Sequence, residues 1–310
     1  MFRTRASNVL IAVACVWSVA AVCLVWLDGV VLDTPSYVRT VAPLWRDAGI
    51  RDKAAREIGQ HIVKHLDVRR TAESWLPKSS ATEQLALAIR MQGIQGVLAQ
   101  GIGDAYTTSP AFETDWRDAN SAAHQSLVRQ LLAPGDRAGT PVTIDVDIAG
   151  PSTKALRAVP ATVTISLDGY AEPLHVEVLD QGDFVAVRGV LRAFHGRGSL
   201  AVFGFALLAA LGVALARDRR KAIAYVGLGT AVALAFVLAG TLALSYEVVA
   251  RMADWHLTPA SVISMYDAIV GPLRFGAAAV MLAGAGCGYI ALRRRPSDVV
   301  ETKDPASANM

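Results

Sequence analysis

The chain has 310 residues, of which 53% are hydrophobic and 18% are charged, and its mean hydropathy is +0.37. Soluble domains carry about 25% charged residues, so this composition excludes an ordinary soluble protein and excludes disorder over most of the chain. The net charge of +3 comes without a basic stripe, so we expect no nucleic-acid partner. The apolar residues gather in four long runs, which predicts an integral membrane protein.

The first apolar run, residues 9–27, contains no charged residue and is long enough to cross a hydrocarbon core about 30 Å thick. We interpret it as an uncleaved anchor that embeds the chain in the lipid bilayer. The alternative is a signal peptide cleaved near Ser18-Val19-Ala20, but the run continues to Leu27, which is long for such a signal.

Three later runs predict transmembrane helices at residues 199–216, 222–245 and 272–292. Arg274 is the one charged residue within these runs. We expect it two residues after the start of its helix, where a guanidinium group reaches the lipid head groups. Small residues in the last run favour close packing, either within one chain or in a homo-oligomer. They are Gly276, Gly284, Gly286 and Gly288.

Basic residues beside the spans predict the orientation, because cytoplasmic flanks are rich in Lys and Arg. With four spans, all three basic clusters fall on one side. The clusters are Arg3 and Arg5; Arg217, Arg219, Arg220 and Lys221; and Arg293, Arg294 and Arg295. The prediction is therefore a multi-pass protein of the cell (plasma) membrane with both termini cytoplasmic. Its cytoplasmic parts are residues 1–8, the turn 217–221 and a disordered tail, 293–310; residues 28–198 and a loop, 246–271, lie outside.

The exported segment 28–198 reads as helical up to about residue 134. Thr34-Pro35 is typical of an N-cap followed by a first-turn proline, and Ser80 with Glu83 has the capping-box pattern. Ser109-Pro110 predicts a helix that ends at about Leu132, before Pro134. Its expected buried stripe comprises Phe112, Trp116, Ala119, Ala123, Leu127 and Leu131.

Glycines interrupt the helix that follows Ser80 and weaken it by about 1 kcal/mol each relative to alanine. They are Gly93, Gly96, Gly101 and Gly103. We expect the close approach of a neighbouring backbone to compensate for them. The exported segment contains no cysteine, since Cys15, Cys23 and Cys287 all lie in predicted spans, so it must be stabilised by its own core.

After Pro134 the apolar residues alternate with polar ones, which predicts strands near residues 142–148, 163–167 and 174–178. A fourth extended piece is expected from Phe184 to Phe194. The predicted fold class is therefore a membrane protein with four transmembrane α-helices and an extracytoplasmic α+β domain, in which a helical layer packs on a small antiparallel sheet.

Two stretches, VLDTPSYVRTVAPLW after the first span and FETDWRDANSAAHQSLVRQL in the helix after Ser109, carry a resemblance to a known family. With them the chain resembles a family of uncharacterised actinobacterial integral membrane proteins. The resemblance implies an anchor, a helical exported region, a β-rich stretch and then the remaining spans. The family has no established activity, so the resemblance leaves the function open.

Trp116, Asn120 and His124 are spaced by four and therefore follow one helix face, with Asp115 and Asp118 nearby. In a functional interpretation, Asn120 and His124 form a polar site that binds a ligand or moves a proton. In a structural interpretation, they tie the helix by hydrogen bonds to the sheet or to the segment after the first span. We favour the structural interpretation, because no nucleophile or second histidine stands at a useful spacing.

Other polar pairs give weaker signals. His61 and His65 have the spacing of a zinc pair, but HIVKH lacks the glutamate of a metalloprotease motif. Asp145 and Asp147 share one face of a predicted strand, which is equally typical of a solvated surface. The sequence predicts no catalytic residues, no metal site and no cofactor.

These observations favour a non-catalytic envelope protein whose exported domain binds a protein, a lipid or a cell-wall component. The first alternative is a transport or channel component, although ion routes usually place ionisable groups at mid-depth in the membrane. The second is a membrane enzyme that uses Asn120 and His124.

Overall fold

The computed structural model describes residues 2–65, 95–97, 99–133, 142–146, 174–179, 181–252 and 257–293. The chain divides into two compact units. We call them the span unit, which comprises Met1–Val25, Arg197–Thr241 and Leu273–Met310, and the large unit, which comprises Trp26–Gly196 and Leu242–Pro272.

In chain order, the described helices are α1 (Phe2–Trp26), α2 (Thr34–Val41), α3 (Ala48–His65), α4 (residues 99–107), α5 (Pro110–Leu132), α6 (Gln181–Phe194), α7 (Gly198–Leu215), α8 (Arg219–Arg251) and α9 (Pro259–Arg293). A π-helical turn, Leu27–Val31, continues α1, and a 3₁₀ turn, Ala42–Arg46, follows α2. The described strands are β1 (Val142–Val146) and β2 (Leu174–Leu179).

Four helices are long and apolar enough to cross a membrane: α1 with its π-helical turn, α7, α8 and α9. This confirms the four predicted spans and identifies a multi-pass membrane protein. Helix α8 continues to Arg251 and α9 begins at Pro259. Much of the segment 246–271, which we expected as a loop, is therefore helical.

The expected position of Arg274, two residues into its helix, is wrong. Pro272 resembles a first-turn proline in the sequence, but it lies inside α9, so Arg274 is near the middle of that helix. Its guanidinium group donates to Thr241 on α8, with Nε 3.2 Å from Oγ1 and Nη2 3.1 Å from the backbone oxygen. The arginine therefore has protein partners on α8, which the sequence did not predict.

Glycines allow the helices of the span unit to touch backbone to backbone. A Cβ atom on Gly227 of α8 would lie 2.3 Å from the backbone oxygen of Gly284 on α9, and one on Gly288 would lie 3.2 Å from that of Ala224. The predicted close packing is thus confirmed at Gly284 and Gly288. Gly276 and Gly286 have no neighbour within 4 Å of a built Cβ, so they do not serve this contact.

Helices α3 and α4 cross at similarly close range in the large unit. A Cβ atom on Gly59 would lie 1.9 Å from the backbone oxygen of Ala99, and one on Gly103 would lie 2.0 Å from that of Ala55. The predicted compensation for helix glycines is confirmed at Gly103, whereas Gly96 and Gly101 face open space. The buried core beside the crossing comprises Ile62, Val63, Ala99, Ile102, Tyr106 and Phe112.

The α+β prediction for the exported domain is wrong, because helices hold most of the described residues. Its two strands pair antiparallel only with each other, with Asp145 opposite His175. Two strands of five and six residues make a ribbon rather than the sheet of a two-layer fold. The strand predicted at 163–167 lies outside the described residues, as does the capping box at Ser80.

The prediction of a fourth strand from Phe184 to Phe194 is wrong, because this segment is helical. These residues belong to α6, in which Arg188 and Arg192 lie one turn apart and Leu191 is buried. Several β-branched valines in this segment favour a strand, but the contacts that α6 makes with α5 override that weak preference. In a helix, Arg188, Leu191 and Arg192 lie on one face and can all contact the end of α5.

The α3–α4 crossing provides a matched pair of variants. We expect Gly103→Ala to lower the free energy of unfolding by about 1–3 kcal/mol, because its Cβ would overlap the Ala55 carbonyl. Gly101→Ala, which meets no atom within 4 Å, should be neutral or stabilising by up to about 1 kcal/mol. Pulse proteolysis of the full chain across a urea series in mild detergent measures both. Equal effects of the two variants would contradict the close crossing.

Candidate functional site on helix α5

Helix α5 begins and ends where the sequence predicts. Ser109 is its N-cap, Pro110 is its first residue and Leu132 its last, so these predicted bounds are confirmed. Phe112 and Leu131 of the predicted stripe are buried, and so is His124. A polar ring in the buried face needs partners for both of its nitrogens.

Both ring nitrogens of His124 have a partner in the segment that follows the first span. Nε2 lies 2.8 Å from the backbone oxygen of Val31, and Nδ1 lies 3.0 Å from Oγ1 of Thr34. A carbonyl oxygen can only accept, so Nε2 carries the proton and donates to Val31. In the neutral ring Nδ1 then accepts a hydrogen bond from the Thr34 hydroxyl.

The Val31 carbonyl needs this donor because of the local sequence. Val31 ends the π-helical turn, and the residue four positions later is Pro35, which has no backbone N–H to donate. The predicted N-cap at Thr34 is wrong by one residue: Asp33 caps α2 by accepting from the Ser36 amide at 2.9 Å. The Thr34 hydroxyl is thereby left for His124.

Tyr37 of α2 stacks on His124, with ring centroids 4.0 Å apart and planes 18° apart. Burial lowers the pKa of His124 from its ordinary value, against the opposing effects of the Val31 carbonyl and of Asp33. Burial also raises the pKa of Tyr37. The pair is therefore a neutral imidazole against a neutral phenol at pH 7.

Trp116 also forms a hydrogen bond with the segment after the first span, whereas the Asn120 amide bonds within its own helix. The indole Nε1 of Trp116 donates to the backbone oxygen of Val41, 3.3 Å away, where α2 gives way to the 3₁₀ turn. The Asn120 amide donates to the backbone oxygen of Trp116 at 2.8 Å, within its own helix. The structure thus brings Trp116 and His124 to one segment and does not join Asn120 to His124.

The two acids near this face are engaged elsewhere or exposed. Asp115 accepts a hydrogen bond from the Tyr106 hydroxyl at 2.7 Å, and burial together with this carboxylate raises the pKa of Tyr106 above its usual range. Asp118 is exposed to solvent. The acids and His124 therefore do not form an acid–base constellation.

Two arginines that we did not predict hold the end of α5. Arg188 donates from Nη2 to the backbone oxygen of Ala133 at 2.7 Å, and Arg192 donates to the same oxygen. Ala133 follows the last residue of α5, where helix carbonyls lack donors and the helix dipole favours a positive charge. The i, i+4 spacing of these arginines before the second span is the sequence signal for this contact.

A second group of contacts that sequence reasoning missed involves Asp47, which precedes α3. Its Oδ1 accepts from the hydroxyl of Ser261 on α9 at 2.6 Å and from the amide of Ile50 at 3.1 Å. Burial opposes ionisation, but these hydrogen bonds outweigh it and lower the pKa of Asp47. A Cβ atom on Gly49 would lie 2.2 Å from the Ser261 oxygen, so this junction requires glycine.

The residues that follow the first span and those that precede the second meet at Asp28. Its Oδ1 accepts a hydrogen bond from the Gly196 amide at 3.0 Å, and His195 Nδ1 lies 3.8 Å away. Gly196 has a φ of 71°, a backbone conformation that favours glycine. The residues that leave the first span are thus bonded to those that lead into the second.

The described residues do not support a metal site at the pair His61 and His65 or at the pair Asp145 and Asp147. The side chain of His65 and the residue Asp147 lie outside the part that is described. Among the described residues, no group of three His, Cys, Asp or Glu side chains stands close enough to hold a metal ion. Asp145 lies in β1.

Comparisons of the chain with family models, with curated proteins and with solved structures find no match. The resemblance carried by the two sequence stretches therefore stays a prediction.

The lowered pKa of His124 predicts that acid weakens the packing around it. As the pH falls through about 6.5, the unfolded chain binds a proton at this histidine that the folded chain does not bind. The free energy of unfolding is therefore highest above this pH and falls below it. Pulse proteolysis in urea at pH 7.5 and 5.5 measures the change.

One variant isolates the contribution of His124. His124→Gln, which keeps a donor but cannot titrate, should reduce the pH dependence. If His124→Gln and the natural chain lose the same stability on acidification, the buried imidazole is not the group responsible.

Proposed function

We propose that the protein is a non-catalytic envelope protein of the cell membrane, in which four helices anchor an exported domain that binds a protein, a lipid or a cell-wall component. The observation that carries this proposal is the internal use of the polar groups on α5. Both nitrogens of His124, the indole of Trp116 and the amide of Asn120 form hydrogen bonds within the protein. They support the fold rather than a reaction.

Basic flanks at the ends of membrane-length helices support the proposed orientation, with both termini in the cytoplasm and residues 28–198 outside. An α-helix rises 1.5 Å per residue, so α1 measures about 31 Å from Arg5 to Trp26 and α9 about 28 Å from Arg274 to Arg293. Each is close to a hydrocarbon core of about 30 Å. Arg5 lies at the start of the α1 stretch and Arg293 at the end of the α9 stretch. The positive-inside rule assigns such basic flanks to the cytoplasm.

The contacts of the large unit favour a firmly held binding domain. His124 and Trp116 tie α5 to the segment after the first span, Arg188 and Arg192 tie it to α6, and Asp28 joins the two ends of the exported segment. Rigid elements present a surface without the entropy cost of ordering it on binding. This arrangement suits recognition of a partner.

The transport alternative has less support. Arg274 is the one charged residue in the four apolar runs, and its distance from Arg293 puts it near the far edge of the hydrocarbon core rather than at mid-depth. An ion or proton route usually requires ionisable groups along its path. The enzyme alternative requires His124 to leave the partners that both of its nitrogens have.

The orientation predicts opposite labelling of two exposed aspartates, Asp118 on α5 and Asp218 in the turn before α8. With the three native cysteines replaced by alanine, a membrane-impermeant maleimide added to intact cells should label Asp118→Cys and not Asp218→Cys. Permeabilised cells should label both, which controls for folding and expression. Labelling of Asp218→Cys alone in intact cells would overturn the orientation.

Binding by the exported domain predicts position-specific crosslinks in living cells. A photoreactive amino acid at Asp118, which α5 presents to solvent, should give a discrete crosslinked species, whereas one at Asp218 should not give that species. Mass spectrometry of the adduct identifies the partner, and the purified full chain should then bind it. Absence of any discrete adduct from Asp118 and from the neighbouring exposed residue Ala122 would count against the proposed role.

A further inference from the structure

An apolar groove of about 720 Å³ lies within the span unit, on α8 between α7 and α9. This volume is within the range of small-molecule and cofactor sites, about 300–1,000 Å³. Its walls include Phe205 and Val213 of α7, Val226 and Thr230 of α8, and Val280 of α9. Within the described residues, one charged side chain, Arg219, lines the groove.

The groove exists because small residues leave space between the flanking helices. Helices α8 and α9 touch at Gly227 and Gly284, which lie in its floor. Helix α7 instead contacts α1, where the Ser7 hydroxyl donates to the backbone oxygen of Gly212 at 2.7 Å. Four alanines of α7 and α9 line the groove. They are Ala209, Ala210, Ala214 and Ala283.

The length of the groove matches one leaflet of a bilayer. Along α8 it extends from Arg219 to Thr230, eleven residues or about 16 Å, and half of a hydrocarbon core is about 15 Å. Its apolar part therefore has the depth of a single acyl chain, and its charged end lies at the level of the head groups.

Positive charge is concentrated at that end. Arg219 lines the groove, and Arg220 lines a smaller adjoining cavity of about 320 Å³ that shares Ile223 and Cys287 with it. The neighbouring acid, Asp218, accepts from the backbone amides of Arg220 and Lys221 and lies 3.5 Å from the Lys221 ammonium group. The acid is thus engaged with groups other than the Arg219 guanidinium.

We propose that this groove is a binding site for an anionic phospholipid of the leaflet next to the basic clusters. One acyl chain lies along α8 between α7 and α9, and the phosphate accepts hydrogen bonds from Arg219, with Arg220 adding positive charge at the mouth. Guanidinium groups bind phosphate strongly, and basic pockets between transmembrane helices select anionic head groups. Apolar walls alone would not distinguish this lipid from a neutral one.

The charge test uses native mass spectrometry of the full-length protein in detergent, with phosphatidylglycerol and phosphatidylcholine added in parallel titrations. We expect the protein to retain phosphatidylglycerol in preference to phosphatidylcholine. Arg219→Gln should weaken retention of phosphatidylglycerol about fivefold, the factor expected for one basic residue near an anionic surface. Arg217→Gln removes the same charge from the same turn but not from the groove lining, and should change retention less than twofold.

The groove test leaves the charges unchanged. Ala283→Phe fills the groove and should weaken phosphatidylglycerol retention, whereas Ala279→Phe, an exposed position one turn away that does not line the groove, should not. Ala209→Leu fills the groove from α7 and serves as a second variant, with an unchanged protease digestion pattern as the folding control.

Three results would overturn the proposal. They are equal retention of the two lipids, equal losses from Arg217→Gln and Arg219→Gln, and phosphatidylglycerol retention that neither groove-filling variant reduces. A dimer in the natural chain that Ala283→Phe dissociates would identify a second copy as the occupant instead, and would also contradict it.

Discussion

Three backbone carbonyls at helix boundaries determine how the large unit is built. Those of Val31, Val41 and Ala133 accept hydrogen bonds from His124, Trp116 and the pair Arg188 and Arg192. The partners are 93, 75 and 55 residues apart along the chain for Val31, Val41 and the Arg188 bond. A buried carbonyl left without a donor costs about 1–3 kcal/mol.

These bonds all involve α5 or the residue that follows it. The helix is therefore held along its length, by the segment after the first span at one side and by α6 at its end. The hydrophobic cluster of Leu32, Leu131 and Leu191 joins the same three elements. Polar and apolar contacts agree on one arrangement, which is the condition under which a sequence specifies a single structure.

The membrane imposes a second constraint, which acts along single helices. The described helices α8 and α9 have 33 and 35 residues, or about 50 Å, well beyond the thickness of the hydrocarbon core. Their outer parts, beyond Thr241 and before Leu273, belong to the large unit. There the Asp47–Ser261 bond and the bond from the Trp26 indole to the Ile269 carbonyl, 3.0 Å long, give α9 polar contacts that lipid could not supply.

How much could be predicted from the sequence depends on whether a feature is local. The spans and the bounds of α5 were predictable, because apolar run length and the Ser109-Pro110 and Pro134 signals lie within the segment they describe. The strand predicted at Phe184 to Phe194 failed, because the contacts of Arg188 and Leu191 with α5 decide its conformation. The helix start predicted at Pro272 failed for a similar reason, because neighbouring helices permit a proline inside a membrane helix.

The candidate site was predictable only in part. Spacing identified Trp116 and His124 as one face, but it left open whether they bind the predicted sheet or the segment after the first span. That choice depends on Pro35, whose missing N–H leaves the Val31 carbonyl without a helical donor. The sequence contained this signal 89 residues before the histidine, and only the tertiary structure relates the two.

The chemistry of His124 follows from the same bonds. A general base needs a nitrogen that can reach a substrate, and both of its nitrogens are within 3.0 Å of protein partners while Tyr37 covers one ring face. Freeing either nitrogen would also release a bond that holds α5 to the segment after the first span. Arg117, Asp118 and Gln125 of α5 are exposed to solvent, so these side chains can be reached without opening the fold.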